Sequence, residues 1–71
     1  MTRVILSREY SCPRGVIHAM AVQRPDGTLD VTALAAPLEL NRLPGVQLIV
    51  QRCAAEVRRE AEAVLAKEAQ P

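Results

Sequence analysis

Three side chains in this sequence could bind a soft metal or attack an electrophile: Cys12, His18 and Cys53. A closed structural zinc site takes four ligands, usually in close pairs such as C-x-x-C, and these three are too few and too scattered to match one. Glu9 or a second copy of the chain would have to complete the set. As a catalytic pair, Cys12 with His18 as base would need an orienting third group and a pocket. The carboxylates have plainer readings. Asp26 belongs to a turn, and Glu56, Glu60 and Glu62 solvate a helix. Gly15, Gly27 and Gly45 are isolated from one another, so no phosphate-cradling loop is present. The expectation is a non-enzyme with no catalytic residues, no metal and no cofactor. In it Cys53 packs in the core, Cys12 sits in a turn, and His18 is a partly buried strand residue. A Cys12–Cys53 disulfide is sterically conceivable, but a cytoplasmic chain keeps its thiols reduced.

Charge narrows the partners. Nine basic and eight acidic residues leave a formal net charge of +1, which disfavours both a nucleic-acid binder with a strong basic field and an acidic mimic of DNA. Arg3, Arg8, Arg14 and Arg24 all precede the last third of the chain, so a basic strand surface that reads nucleic acid is the alternative reading. A single helix rules out a helix-turn-helix. Tyr10 is the one aromatic residue, too few for base stacking on a sheet.

The element on which the rest depends is the C-terminal third. Val46, Val50, Cys53, Ala54, Val57, Ala61, Val64 and Leu65 recur at helical steps and form one apolar stripe. Pro44 suits a first helical turn, and Ala, Glu, Arg and Leu carry the later turns, so the spacing predicts a helix over 44–69. Arg52/Glu56 and Arg58/Glu62 add i,i+4 pairs. Before it, alternating apolar residues predict strands over 3–10, 16–23 and 28–36. Pro13 and Gly15 mark the first turn. Pro25, Asp26 and Gly27 mark the second, a type I turn with a glycine in the left-handed position. In the first strand Val4, Leu6 and Tyr10 share a face that Arg8 interrupts. In the second, Ile17, Ala19 and Ala21 oppose Val16, His18, Met20 and Val22. Pro37 ends the third strand, and Leu38 to Leu43 is expected as a short extended segment, the alternative being a loop in which Leu38, Leu40 and Leu43 plug the core edge.

The fold class is therefore α+β: a three-stranded antiparallel meander followed by one long C-terminal helix packed on one sheet face, all within a single small domain over 1–71. Seventy-one residues with no Phe and no Trp bury little area per residue, which favours extra burial through self-association. A helix of 26 residues spans about 39 Å, whereas strands of eight residues span about 26 Å. The helix is thus expected to overhang its sheet, with Val57, Ala61, Val64 and Leu65 covered by a second copy in a homodimer. The unpaired sheet edges offer strand addition as another docking mode. Leu48, Arg52 and Arg59 lie off the apolar stripe and are the expected contact to another, larger protein. The chain carries no apolar run of membrane-spanning length and no signal-peptide core near its start, so the expected compartment is the cytoplasm. Arg outnumbers Lys eight to one and Ala is abundant, a composition common in GC-rich bacterial and phage genomes. By elimination, the function expected is that of a small non-catalytic protein-interaction module, a bacterial, phage or mobile-element regulator or inhibitor that binds a larger protein.

Overall fold

The computed structural model describes residues 2–70. Strands β1 (Arg3–Cys12), β2 (Gly15–Gln23) and β3 (Leu29–Ala36) form an antiparallel meander in the order β1-β2-β3. A short 3-10 helix, η1 (Leu38–Arg42), follows, and helix α1 (Pro44–Ala69) then crosses one face of the sheet. The fold expected from the apolar periodicity is the one observed, with β1 and β2 running closer to their shared turn than the turn residues suggested.

Register explains which residues meet the helix. Ile17 pairs with Tyr10 and Ala35, Ala19 with Arg8 and Ala33, and Ala21 with Leu6 and Val31, so these side chains share one face. That face packs on Cys53, Val57 and Ala61 of α1, with Leu40 of η1 closing one end. Four of the buried residues are alanines: Ala19, Ala21, Ala35 and Ala61. Small side chains on both surfaces let the helix backbone approach the sheet closely, so a core without Phe or Trp can still exclude water. Every void in such a core costs contacts.

The face of β1 differs from the simple alternation. The register shifts between Val4 and Leu6, so Ile5 is an extra residue in the strand. A bulge exchanges the two faces on either side of it. Val4 therefore turns to the uncovered face, 59% exposed, and Arg3 joins Leu6, Arg8 and Tyr10 on the helix side. The arginines there do not enter the core. Arg8 Nε lies 3.3 Å from Glu60 Oε2, and Arg3 donates from Nη2 to Glu68 Oε1 at 2.8 Å. Their aliphatic stems lie along the sheet while the charged heads reach helix carboxylates near water.

These two ion pairs also remove the overhang. β1 is ten residues long, about 33 Å, and Arg3 at its start reaches Glu68 in the last turn of α1. Helix and first strand therefore run side by side, antiparallel, along the length of β1, about 33 Å of the molecule's 43 Å. The expected overhang rested on strands of eight residues, whereas β1 has ten and β2 nine; only β3 has eight.

The segment after β3 is a second correction. Leu38 to Arg42 is helical rather than extended, held by Leu40 N–H to Pro37 O at 3.0 Å and Leu43 N–H to Leu40 O at 3.1 Å. Of the three leucines, only Leu40 turns inward, and Leu38 and Leu43 do not plug the core edge. Asn41 fixes the geometry. Its side-chain amide donates to Ala35 O at 2.8 Å and to Leu38 O at 3.1 Å, and its Oδ1 accepts from Ala35 N–H at 3.0 Å. Gln47 then ties η1 to α1 through Nε2 to Asn41 O at 2.6 Å.

Candidate partner-binding site

The two-residue turn Pro13-Arg14 closes the β1–β2 hairpin, because Cys12 pairs directly with Gly15. Beside it lie η1 and the first turns of α1. Leu43 precedes Pro44 as the helix-capping residue, with no side-chain cap, and accepts the N–H groups of Val46 and Gln47 at 3.1 and 3.2 Å. An apolar residue at this capping position leaves its side chain free to pack outward. The result is a cleft of about 310 Å³ between turn, η1 and helix, floored by Leu40 and Val46 and walled by Cys12, Leu43 and Ile49, with Arg14 at its rim. No acidic side chain lines it.

The cleft lies among exposed apolar residues. Leu43 and Ile49 line it and are themselves exposed, and Leu38 of η1 and Leu48 of α1, 68% and 65% exposed, lie close to them in sequence. Scattered surface leucines need no explanation, but several next to a concave apolar surface mark a contact site. The volume is at the lower end of ligand pockets and fits one or two apolar side chains.

Leu48, Arg52 and Arg59 are all exposed, on the side of α1 turned away from the sheet, and Leu48 adjoins the cleft in sequence through Ile49. Val57 and Ala61 have no exposure and are fully used by the chain's own core. Of the four residues expected to meet a second copy, Val64 is 36% exposed and Leu65 is half-buried. The four arginines expected to form a basic strand surface are not one patch, and only Arg3 and Arg8 lie on a strand. Arg3 and Arg8 are held by Glu68 and Glu60, and Arg24 lies 3.1 Å from Asp30 beside the β2–β3 hairpin. Arg14 stands apart at the opposite end of the sheet.

The chemistry-bearing trio is divided by the sheet. Cys12 packs against the core that contains buried Cys53. His18 faces the other way, pairs across strands with Glu9, and has its Nδ1 3.5 Å from Glu9 Oε2. Its side chain is 59% exposed, so the expected partly buried histidine is instead a surface residue. The face opposite the helix carries no cover at this position. Among the described residues no three potential metal ligands converge, and no helix is long and apolar enough to cross a membrane.

Burial raises the Cys53 thiol above its ordinary value of 9.0, with the neighbouring Glu56 and Cys12 adding to the effect. Burial, then Glu56 and Glu60, raise the Tyr10 phenol above 10.0. Both shifts favour the neutral form in the folded state. The unfolded chain therefore releases these protons at lower pH than the folded one. Their contribution is fully present below pH 9 and is lost as pH rises through the folded values. Urea midpoints are expected to fall between pH 8 and pH 10 or above, and Cys53→Ala to flatten the onset of that fall. A midpoint that stays constant to pH 11 would contradict it.

Compared with known protein families, with curated proteins and with solved structures, the chain gives no match.

Proposed function

We propose that the protein is a small non-catalytic protein-interaction module that occupies a surface of a larger protein, as a small regulator or inhibitor does. The observation that supports this reading is the apolar cleft at the start of α1, whose lining includes the exposed Leu43 and Ile49. Interface affinity concentrates in a few well-packed anchor side chains. A leucine, methionine or phenylalanine of the partner would fill the cleft, and a neighbouring carboxylate would meet Arg14. Contact would continue over Leu48 along the helix to Arg52 and Arg59. A regulator that reads nucleic acid has weaker support, because Arg3, Arg8 and Arg24 already hold acidic partners within the chain.

The test is cross-linked capture of a partner from cells of the source, followed by calorimetry with the purified pair. Ile49→Asp is expected to weaken binding by about 30-fold or more. Arg52→Glu with Arg59→Glu is expected to weaken it by about tenfold, less so at high salt. Thermal stability should change little, since these side chains lie outside the core. Binding that survives both sets of substitutions would refute the assignment of this surface.

A further inference from the structure

We infer that β3 is a self-association edge: two copies pair their β3 strands antiparallel about a two-fold axis at Val31, making one continuous six-stranded sheet. This inference does not depend on the cleft, which lies at the far end of the molecule from the β2–β3 hairpin.

The argument begins with backbone hydrogen bonds. Asn41 takes both the N–H and the C=O of Ala35, so these groups point away from β2. At the other end of the strand, Arg24 N–H donates to Thr28 O at 2.9 Å, placing the Thr28 carbonyl inward. In an antiparallel ladder the directions alternate residue by residue. Both observations then give the same phase: Leu29, Val31, Ala33 and Ala35 turn their backbone groups outward. Asn41 satisfies Ala35. Leu29, Val31 and Ala33 have no strand beside them among the described residues.

The two sheet edges are not alike. β1 has a bulge and carries Arg3, Arg8 and Glu9, features that hinder edge-to-edge pairing. β3 pairs with β2 without a register shift and has one charged residue, Asp30. Three open positions at every second residue are self-complementary in one register. Val31 faces Val31 of the second copy, and Leu29 faces Ala33 at both ends, each pair exchanging two hydrogen bonds. On the uncovered face this register sets Asp30 across from Thr32, whose hydroxyl donates to the carboxylate. Sliding by one pair would oppose Leu29 to Ala35, which Asn41 blocks, and Asp30 to Leu34. The two helices would lie on the same face of the joined sheet.

The experiment is sedimentation equilibrium with amide exchange by NMR on the intact chain and three variants. Wild-type protein is expected to dimerise reversibly, with the Leu29, Val31 and Ala33 amides gaining protection as concentration rises. Val31→Pro removes an outward N–H and no bond to β2, so it is expected to give a folded monomer. Thr32→Asp sets a carboxylate opposite each Asp30 and is expected to weaken the dimer by about tenfold, whereas Thr32→Lys is expected to hold or tighten it. Thr32 is exposed, so this pair decides the matter even if Val31→Pro fails to fold. A wild-type monomer at about 0.1 mM, a dimer with unprotected β3 amides, or equal weakening by Asp and Lys would overturn the proposal.

Discussion

Ile17→Ala is expected to lower the urea midpoint steeply, by about 3–4 kcal/mol of stability, with the slope unchanged. Ile17 has no exposure and is, with Val57, the largest fully buried side chain. Ile17 pairs with Tyr10 and Ala35 in the sheet and shares the core with Leu40, Cys53 and Val57, so removing three carbons from it leaves a cavity in the middle of the packed cluster. A domain of this length is stable by roughly 4–10 kcal/mol in total. The variant would therefore sit near its own unfolding threshold at 37 °C. A loss below about 1 kcal/mol would show that the helix can settle onto the sheet, and that its position is looser than the alanine contacts imply.

Gly15→Ala is the second large effect, and Gly45→Ala its internal control. A Cβ on Gly15 would collide with the Ala36 carbonyl oxygen and come within 2.9 Å of Leu40 Cδ1. The carbonyl belongs to the neighbouring strand, and Leu40 is held by η1, so neither yields cheaply. About 2–4 kcal/mol of destabilisation is expected. Around Gly45 there is nothing within 4 Å of an added Cβ, and its backbone lies in the first turn of α1. Alanine there is expected to stabilise by up to about 1 kcal/mol, since it restricts the unfolded chain and favours helix. Thermal melts of the two variants would shift in opposite directions. A Gly15→Ala protein that melts like the wild type would mean that the β2–β3 pairing opens at this end without cost.

The three glycines show how sequence legibility works here. Read in sequence they look equivalent, each isolated and each near a turn or a helix start. Gly27 has a φ of 90° and serves the turn that Pro25 and Asp26 announce. Asp26 accepts from the Thr28 hydroxyl at 2.6 Å and from Thr28 N–H at 2.9 Å, and these bonds hold its carboxyl below the usual range. Every part of that turn lies within five residues, so it was readable. Gly15 is required by a carbonyl twenty-one positions away, and no local pattern reveals that.

The same division runs through the candidate site. Leu48 and the leucines of residues 38–43 stand out as residues without a place on any stripe, but the cleft that Leu40 and Leu43 line exists only because η1 lies beside the β1–β2 turn. Asn41 gives no such signal. In sequence it is one polar residue between Leu40 and Arg42, and its value lies in reaching both backbone groups of Ala35.

What the sequence determined by itself is the set of elements and their order. Helical and strand periodicities, Pro44, and the Pro-Asp-Gly turn are local signals, set by dihedral preferences and by the spacing of apolar side chains. The helix bounds at 44 and 69 follow from them directly. Tertiary structure decided the rest. It placed the bulge at Ile5 that sends Val4 outward and Arg3 toward Glu68, and it put His18 in solvent on the far side of the sheet from both cysteines. It also used Val57 and Ala61 in the core while leaving Leu29, Val31 and Ala33 an open edge. Each of these outcomes depends on how segments distant in sequence are placed against one another, a choice made by close packing and by pairing of backbone groups rather than by any residue's own preference.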